Sequence, residues 1–293
     1  MNRRARSIVA ATSVGIAAAW LAWDEPAAAR ERIGAVDADA AYAHQQPLLE
    51  RALAELRPAA AGPSQLYFVG FAGFGTEAVF KREVLAVREL FDQRFATKGR
   101  SVALINHEST LAHIPLANVD NLERVLRHLG GIMDRSRDTL FLFLTSHGEP
   151  GVFIVDMPGF DFSQLTPARL ERMLDASGIR NRVIVVSACH SGSFVPTLAG
   201  PTTLVIAAAR ADRTSFGCED QREWTYFGDA YFNRALRVET SFTRAFERAR
   251  RTIAQWESRE GLERSYPQIA GGEGLTTLER AAERPRLQAP RTE

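Results

Sequence analysis

The chain has two cysteines and six histidines, and one of each stands where it could react. His147 follows the apolar run Thr139 to Thr145 (T-L-F-L-F-L-T) after a single serine. Cys189 follows the run Arg182 to Ser187 (R-V-I-V-V-S) after a single alanine. A thiol that attacks a carbonyl and an imidazole that carries the protons are two of the parts that acyl transfer needs. The third is a pair of backbone N–H groups for the developing oxyanion. Gly148, beside His147, has no side chain to hold a carbonyl away from its N–H, and Cys189 opens a small polar turn, H-S-G-S. A single cysteine at a strand end is usually just a small hydrophobe, so the weight of this reading rests on the pair.

Both runs are short, rich in β-branched or aromatic residues, and apolar without alternation. That pattern predicts strands buried on both faces of a parallel sheet. Such sheets carry their active sites at the carboxyl ends of their strands, so His147 and Cys189 can be neighbours in space. Further strands are expected at Leu66 to Phe71, Ser101 to Asn106, Thr203 to Ala209 and Pro267 to Ala270, with a short hairpin over Gly151 to Asp156. Helices are expected at Glu77 to Phe95, Asn118 to Met133 and Ser241 to Glu257. Another should run from Thr166, a capping residue followed by Pro167 at the first helical position, to about Asp175. From Gly34 to Leu56 an alanine-rich stretch predicts one or two helices around Pro47. Alternating strands and helices define an α/β sandwich.

Residues 1–29 read as an export segment: Arg3, Arg4 and Arg6, an apolar stretch from Ile8 to Trp23, and small residues at Ala27 to Ala29. The stretch is slightly short of the roughly 20 residues of a membrane span, so a cleaved signal and an uncleaved anchor are both open. Either way the rest of the chain is expected outside the cytoplasm, in the periplasm or anchored to the inner membrane facing it. Residues 30–64 form a helical extension and linker, 65–282 the main domain, and 283–293 a polar tail. In an oxidising compartment a disulfide between Cys189 and Cys218 competes with thiol chemistry at Cys189. The formal net charge of +1 offers no argument for a nucleic acid partner.

Two other sites carry less. Gly70, Gly73 and Gly75 lie between a strand and a helix, where backbone N–H groups can cradle phosphate. Their order, G-x-x-G-x-G, is not a dinucleotide fingerprint, and tight turns explain them without a ligand. His107-Glu108 lacks the second histidine of a helical zinc motif, and His113 and His128 stand alone. No metal or organic cofactor is expected.

Four blocks, T-S-H-G (Thr145 to Gly148), S-A-C-H-S-G-S (Ser187 to Ser193), A-A-R-A-D-R-T-S-F-G-C (Ala208 to Cys218) and T-Y-F-G-D-A-Y-F (Thr225 to Phe232), occur in this order. Together they resemble the legumain family of cysteine endopeptidases. The resemblance runs from about Leu66 to Ile269. It implies a caspase-like three-layer sandwich, a mostly parallel six-stranded sheet with helices on both faces. It also implies a dyad of His147 and Cys189, and an oxyanion hole from the N–H groups of Gly148 and Cys189. Ser215 and Asp229 would line the pocket for the residue before the cut, with Lys81 or Arg82 supplying a basic partner. Two departures stand out. Ser187 replaces a glutamate that bears on specificity, and Val79 stands where the family has an asparagine that supports the histidine.

The expected function is an exported endopeptidase that cleaves peptide or protein substrates through an acyl-enzyme, with Asn the first choice before the cut. A transpeptidase or ligase using the same dyad, and a catalytically silent binding module, are the alternatives.

Overall fold

The computed structural model describes residues 38–275, with side chains from Tyr42 onward. The export segment 1–29, the start of the extension and the tail 283–293 lie outside the described residues. Among the described residues, no helix is long and apolar enough to cross a membrane.

The central sheet contains β1 (Leu66–Ala72), β2 (Ser101–Ile105), β3 (Thr139–Thr145), β6 (Asn181–Ser187), β7 (Thr203–Ala207) and β8 (Gln268–Ala270). Between β3 and β6 the two short strands β4 (Gly148–Glu149) and β5 (Val152–Phe153) pair as a separate antiparallel hairpin. The order across the sheet is β2-β1-β3-β6-β7-β8. Every pairing is parallel except β7 with β8. The direction of strand addition reverses between β1 and β3, the switch point at which open α/β sheets leave a crevice. His147 lies two residues beyond the end of β3, at the carboxyl edge of the sheet.

The helices are α1 (Ala38–Ala54), α2 (Ala78–Arg94), α3 (Val119–Ile132), α4 (Pro167–Ser177) and α5 (Phe242–Glu260). The uniform apolar runs are uniform because each face of the sheet has its own core. In β3, Leu140, Leu142 and Leu144 join one core with residues of α3 and α4. Phe141 and Phe143 join the other, with residues of α2 and α5. Strand side chains alternate in direction, so leucine goes to one layer and phenylalanine to the other. On the phenylalanine side, Phe141 meets Phe91 at 4.4 Å and Phe242 at 5.0 Å between ring centroids.

Several local expectations hold. The Thr166 hydroxyl accepts from Arg169 N–H with Pro167 opening α4. Asn118 and Ser241 cap α3 and α5 in the same way. Of the one or two helices expected around Pro47, a single one forms, and α1 runs through the proline. Proline removes one N–H from the helix ladder, and α1 is held by tertiary contacts instead. Leu49 is buried in the α3-side core, and the Gln45 amide exchanges hydrogen bonds with Leu111 O and Leu116 N. Residues 226–238 form a helical segment that was not expected, with a π-helical stretch at Asp229–Ala235.

Candidate active site

The register of β3 on β6 pairs Thr145 with Ser187. His147 and Cys189 each stand two residues beyond a member of that pair, so the two strand ends bring their backbones close together. Their closeness is visible at Gly148, where an added Cβ would overlap the Cys189 carbonyl oxygen and lie 3.1 Å from Ala188 Cβ.

His147 is held from several directions. Ser146 N–H donates to Ser187 O at 3.2 Å, its hydroxyl donates to Ile154 O at 2.6 Å, and Ile154 N–H donates to His147 O at 3.1 Å. The β4–β5 hairpin thus anchors the backbone at this point. The imidazole is wedged edge-on against Phe74 (4.6 Å, 89°) and Phe80 (5.3 Å, 82°). Its Nε2 lies 3.5 Å from a carboxylate oxygen of Glu77.

Cys189 lies in a turn pinned to the chain leaving β7. His190, the next residue, adopts a left-handed backbone (φ 56°) that most side chains avoid. Its N–H donates to Arg213 O at 2.8 Å, and Gly192 N–H donates to Ala209 O at 2.8 Å. Ala209 N–H donates to the Ser191 hydroxyl at 3.1 Å. The block A-A-R-A-D-R is therefore the mould for the cysteine turn. The chain then passes directly over the thiol: Ser215 N–H points at Cys189 Sγ from 3.3 Å, with Ser215 Oγ at 3.7 Å. Both cysteines are free. Burial, with Cys189 nearby, pushes the Cys218 thiol up to about 12, so Cys218 stays protonated at neutral pH.

The remaining pocket candidates separate. Ser215 is at Cys189. Ser187 is buried with its hydroxyl 3.4 Å from that of Thr225. Asp229 is engaged within its own helical segment, accepting from Asn233 Nδ2 at 2.7 Å and pairing with Arg234 Nε at 3.0 Å. Arg234 in turn stacks on Trp256, 5.0 Å from the ring centre. Neither Lys81 nor Arg82 is hydrogen-bonded to or paired with Asp229. Lys81 Nζ lies 3.3 Å from the His107 ring nitrogens and donates to the Ser109 hydroxyl at 3.0 Å. Arg82 donates to the carbonyls of Asp220 and Arg222. The first-strand glycines serve packing: an added Cβ at Gly70 would come within 2.7 Å of Val84, and at Gly73 within 2.7 Å of Ile154 O.

Two carboxylates were missed by sequence reasoning, Glu77 at His147 and Glu83 beneath the pocket segment. Glu83 is fully buried and accepts from the Thr145 hydroxyl (2.7 Å), the Thr225 hydroxyl (2.8 Å) and Thr225 N–H (3.1 Å). It therefore ties the end of β3 to the start of the segment that carries Asp229. A signal did exist, because Glu83 falls among Val79, Phe80, Val84 and Val87 on the apolar face of α2, where an unpaired charge is costly.

Burial, partly opposed by those hydrogen bonds, pushes Glu83 up to about 7. The folded protein then holds a proton that the unfolded chain releases above the ordinary value of 4.5. Its stabilising contribution is complete below about pH 4.5 and is lost as the pH rises through about 7, a change on the order of 3 kcal/mol. Urea unfolding across this range should show wild type losing stability relative to Glu83→Gln, an isosteric change that cannot titrate. Parallel pH profiles for the two proteins would contradict the assignment.

A free thiol and an imidazole at adjacent parallel strand ends, with a carboxylate behind the imidazole, make up the chemistry of a cysteine-type hydrolase. The chain belongs to the peptidase C13 family, whose profile matches residues 118–273, more than half of its length. It is a cysteine-type peptidase of the legumain group. Among solved structures, caspase-1 from Spodoptera frugiperda aligns with a TM-score of 0.49 at 13% identity, covering 73% of this chain and 92% of that one. No curated protein sequence matches.

Proposed function

We propose that this chain is an exported endopeptidase in which Cys189 and His147 form the catalytic dyad and cleavage follows Asn. The observation that carries the dyad is the register Thr145 to Ser187, which brings two reactive side chains forward by the same number of residues. Cys189 Sγ adds to the scissile carbonyl carbon while His147 takes the thiol proton. The N–H groups of Gly148 and Cys189 receive the oxyanion. The C–N bond then breaks as His147 passes its proton to the leaving amine, and an acyl-enzyme remains. Water, deprotonated by His147, adds to the thioester and releases the acid and the thiol.

Ser215, beside Cys189, and Asp229 are the residues proposed to meet the side chain before the cut, with Ser187 beneath them. The charge balance at Asp229 supports the choice of Asn, because Arg234 at 3.0 Å compensates the carboxylate. The pair offers a donor side and an acceptor side, complementary to a carboxamide rather than to a cation. Lys81, occupied at His107, is not needed for this balance. Digestion of a mixed peptide library is expected to give cuts after Asn, shifting toward other residues in Asp229→Ala. Cuts confined to Arg and Lys in the wild type would contradict the neutral pocket.

Export is carried by the sequence of residues 1–29. Fractionation that recovers only the intact chain in the cytosol would remove that part of the proposal.

A further inference from the structure

Three chain segments of the site meet at one buried side chain. Glu83 is fully buried, in the second turn of α2. One carboxylate oxygen accepts from Thr225 N–H at 3.1 Å and from the Thr225 hydroxyl at 2.8 Å, and the other accepts from the Thr145 hydroxyl at 2.7 Å. Thr145 ends β3, and Ser187, its partner in the register, ends β6. The Ser187 hydroxyl lies 3.4 Å from that of Thr225. Thr145, Ser187 and Thr225 are all buried, so a lost partner here is costly.

Thr225 is the joint of the pocket. Its hydroxyl accepts from Gly228 N–H at 3.0 Å and its carbonyl from Asp229 N–H at 2.9 Å. The next residue, Tyr226, donates its N–H to Phe216 O at 3.0 Å, beside Ser215. Both proposed sides of the pocket, Asp229 and Ser215, are therefore linked to a residue that Glu83 holds. Gly228 fits the same arrangement, because an added Cβ would overlap the Glu83 carboxylate. Phe227 and Phe232 anchor the segment in the α2-side core. Apolar burial of this kind is non-directional, whereas hydrogen bonds fix distance and angle.

We propose that Glu83 is the positioning residue of the specificity pocket: its carboxyl group fixes the segment that carries Asp229, and through Tyr226 the loop that carries Ser215, against the ends of β3 and β6. Being buried, it acts through these residues and not on the substrate. The inference rests on the pocket reading above and names the group that sets its geometry. A pocket that hydrogen-bonds a carboxamide depends on that geometry, and a misplacement of about 1 Å costs on the order of a hundredfold.

The test is the selectivity of Glu83→Leu, Glu83→Gln and Thr145→Val, measured as kcat/KM for peptides with Asn and with Ala before the cut and normalised by active-site titration. Glu83→Leu is expected to lower the Asn-to-Ala ratio roughly ten- to a hundredfold, with the Ala peptide cut nearly as well as by wild type. Thr145→Val, which removes one hydroxyl at constant shape, should lower the ratio in the same sense, and it carries the test if Glu83→Leu does not fold. In Glu83→Gln the amide oxygen can still accept from Thr225 and the amide nitrogen can donate to the Thr145 hydroxyl, so most of the wild-type ratio should remain. A purely structural role would reduce the amount of active enzyme and leave the ratio alone. A wild-type ratio in Glu83→Leu or in Thr145→Val, or a Glu83→Gln ratio as low as that of Glu83→Leu, would overturn the inference. No preference between the two peptides in wild type, or a wild-type ratio in Asp229→Ala, would instead overturn the pocket reading beneath it.

Discussion

Cys189→Ala is expected to abolish peptide hydrolysis, a fall of at least about four orders of magnitude, while the protein stays folded. The thiol is part-exposed in a turn, and its nearest polar partners are the backbone and hydroxyl of Ser215. Removing one sulfur there empties little core. The pinning of the turn to Ala209 and Arg213 runs through the backbone and side chains of its neighbours and survives the change. Cys218→Ala should behave in the opposite way. Its thiol packs against the α2-side core, so the variant should lose about 1 kcal/mol of stability and keep its activity. Parallel assays of the two variants, with urea unfolding, check both halves. A dead Cys218→Ala beside an active Cys189→Ala would reverse the assignment.

Gly148→Ala should be the next most damaging change. An added Cβ would overlap the Cys189 carbonyl oxygen and press on Ala188 Cβ at 3.1 Å. Neither is the far end of a flexible side chain. Either Gly148 or the Cys189–His190 peptide, whose carbonyl it meets, must move, and Gly148 and Cys189 are the two residues whose N–H groups make the proposed oxyanion site. Displacing one oxyanion donor lowers kcat by about a hundred- to a thousandfold, and that is the expected loss. Gly131→Ala is the control, because an added Cβ there meets nothing within 4 Å and alanine favours the helix. It should keep full activity and gain a little stability. Equal activity in the two variants would show that the approach of β3 and β6 at Gly148 is not catalytically important.

The architecture was legible where one face of an element has one job. Runs such as T-L-F-L-F-L-T can only be strands buried twice, and the cores on either side of β3 divide its leucines from its phenylalanines. The positions of His147 and Cys189 beyond two such runs were legible for the same reason. Side chains whose roles depend on a partner far away in sequence were not. Glu77 reads as an indifferent helix-capping residue until Asp220 is seen capping α2 in its place. Glu83 stands out on the apolar face of α2, but nothing in the sequence names its partners, Thr145 and Thr225. Lys81 was expected near Asp229 from family position alone, whereas its own surroundings are His107 and Ser109. The charged partner that Asp229 does have, Arg234, sits only five residues away, inside a π-helical turn. That turn changes which side chains face each other, and such irregular turns often fall at functional sites. No simple periodicity announces it.

Cys189 is the proposed nucleophile, and His147 serves it. The most direct measurement uses a peptide ending in Asn with a thiol-directed electrophile in place of the scissile bond, followed by intact-mass analysis and peptide mapping of the labelled chain. The expected result is one adduct per chain, located on Cys189 and formed at least about a hundredfold more slowly in His147→Ala. An adduct on Cys218, or labelling of Cys189 at an unchanged rate without His147, would contradict it.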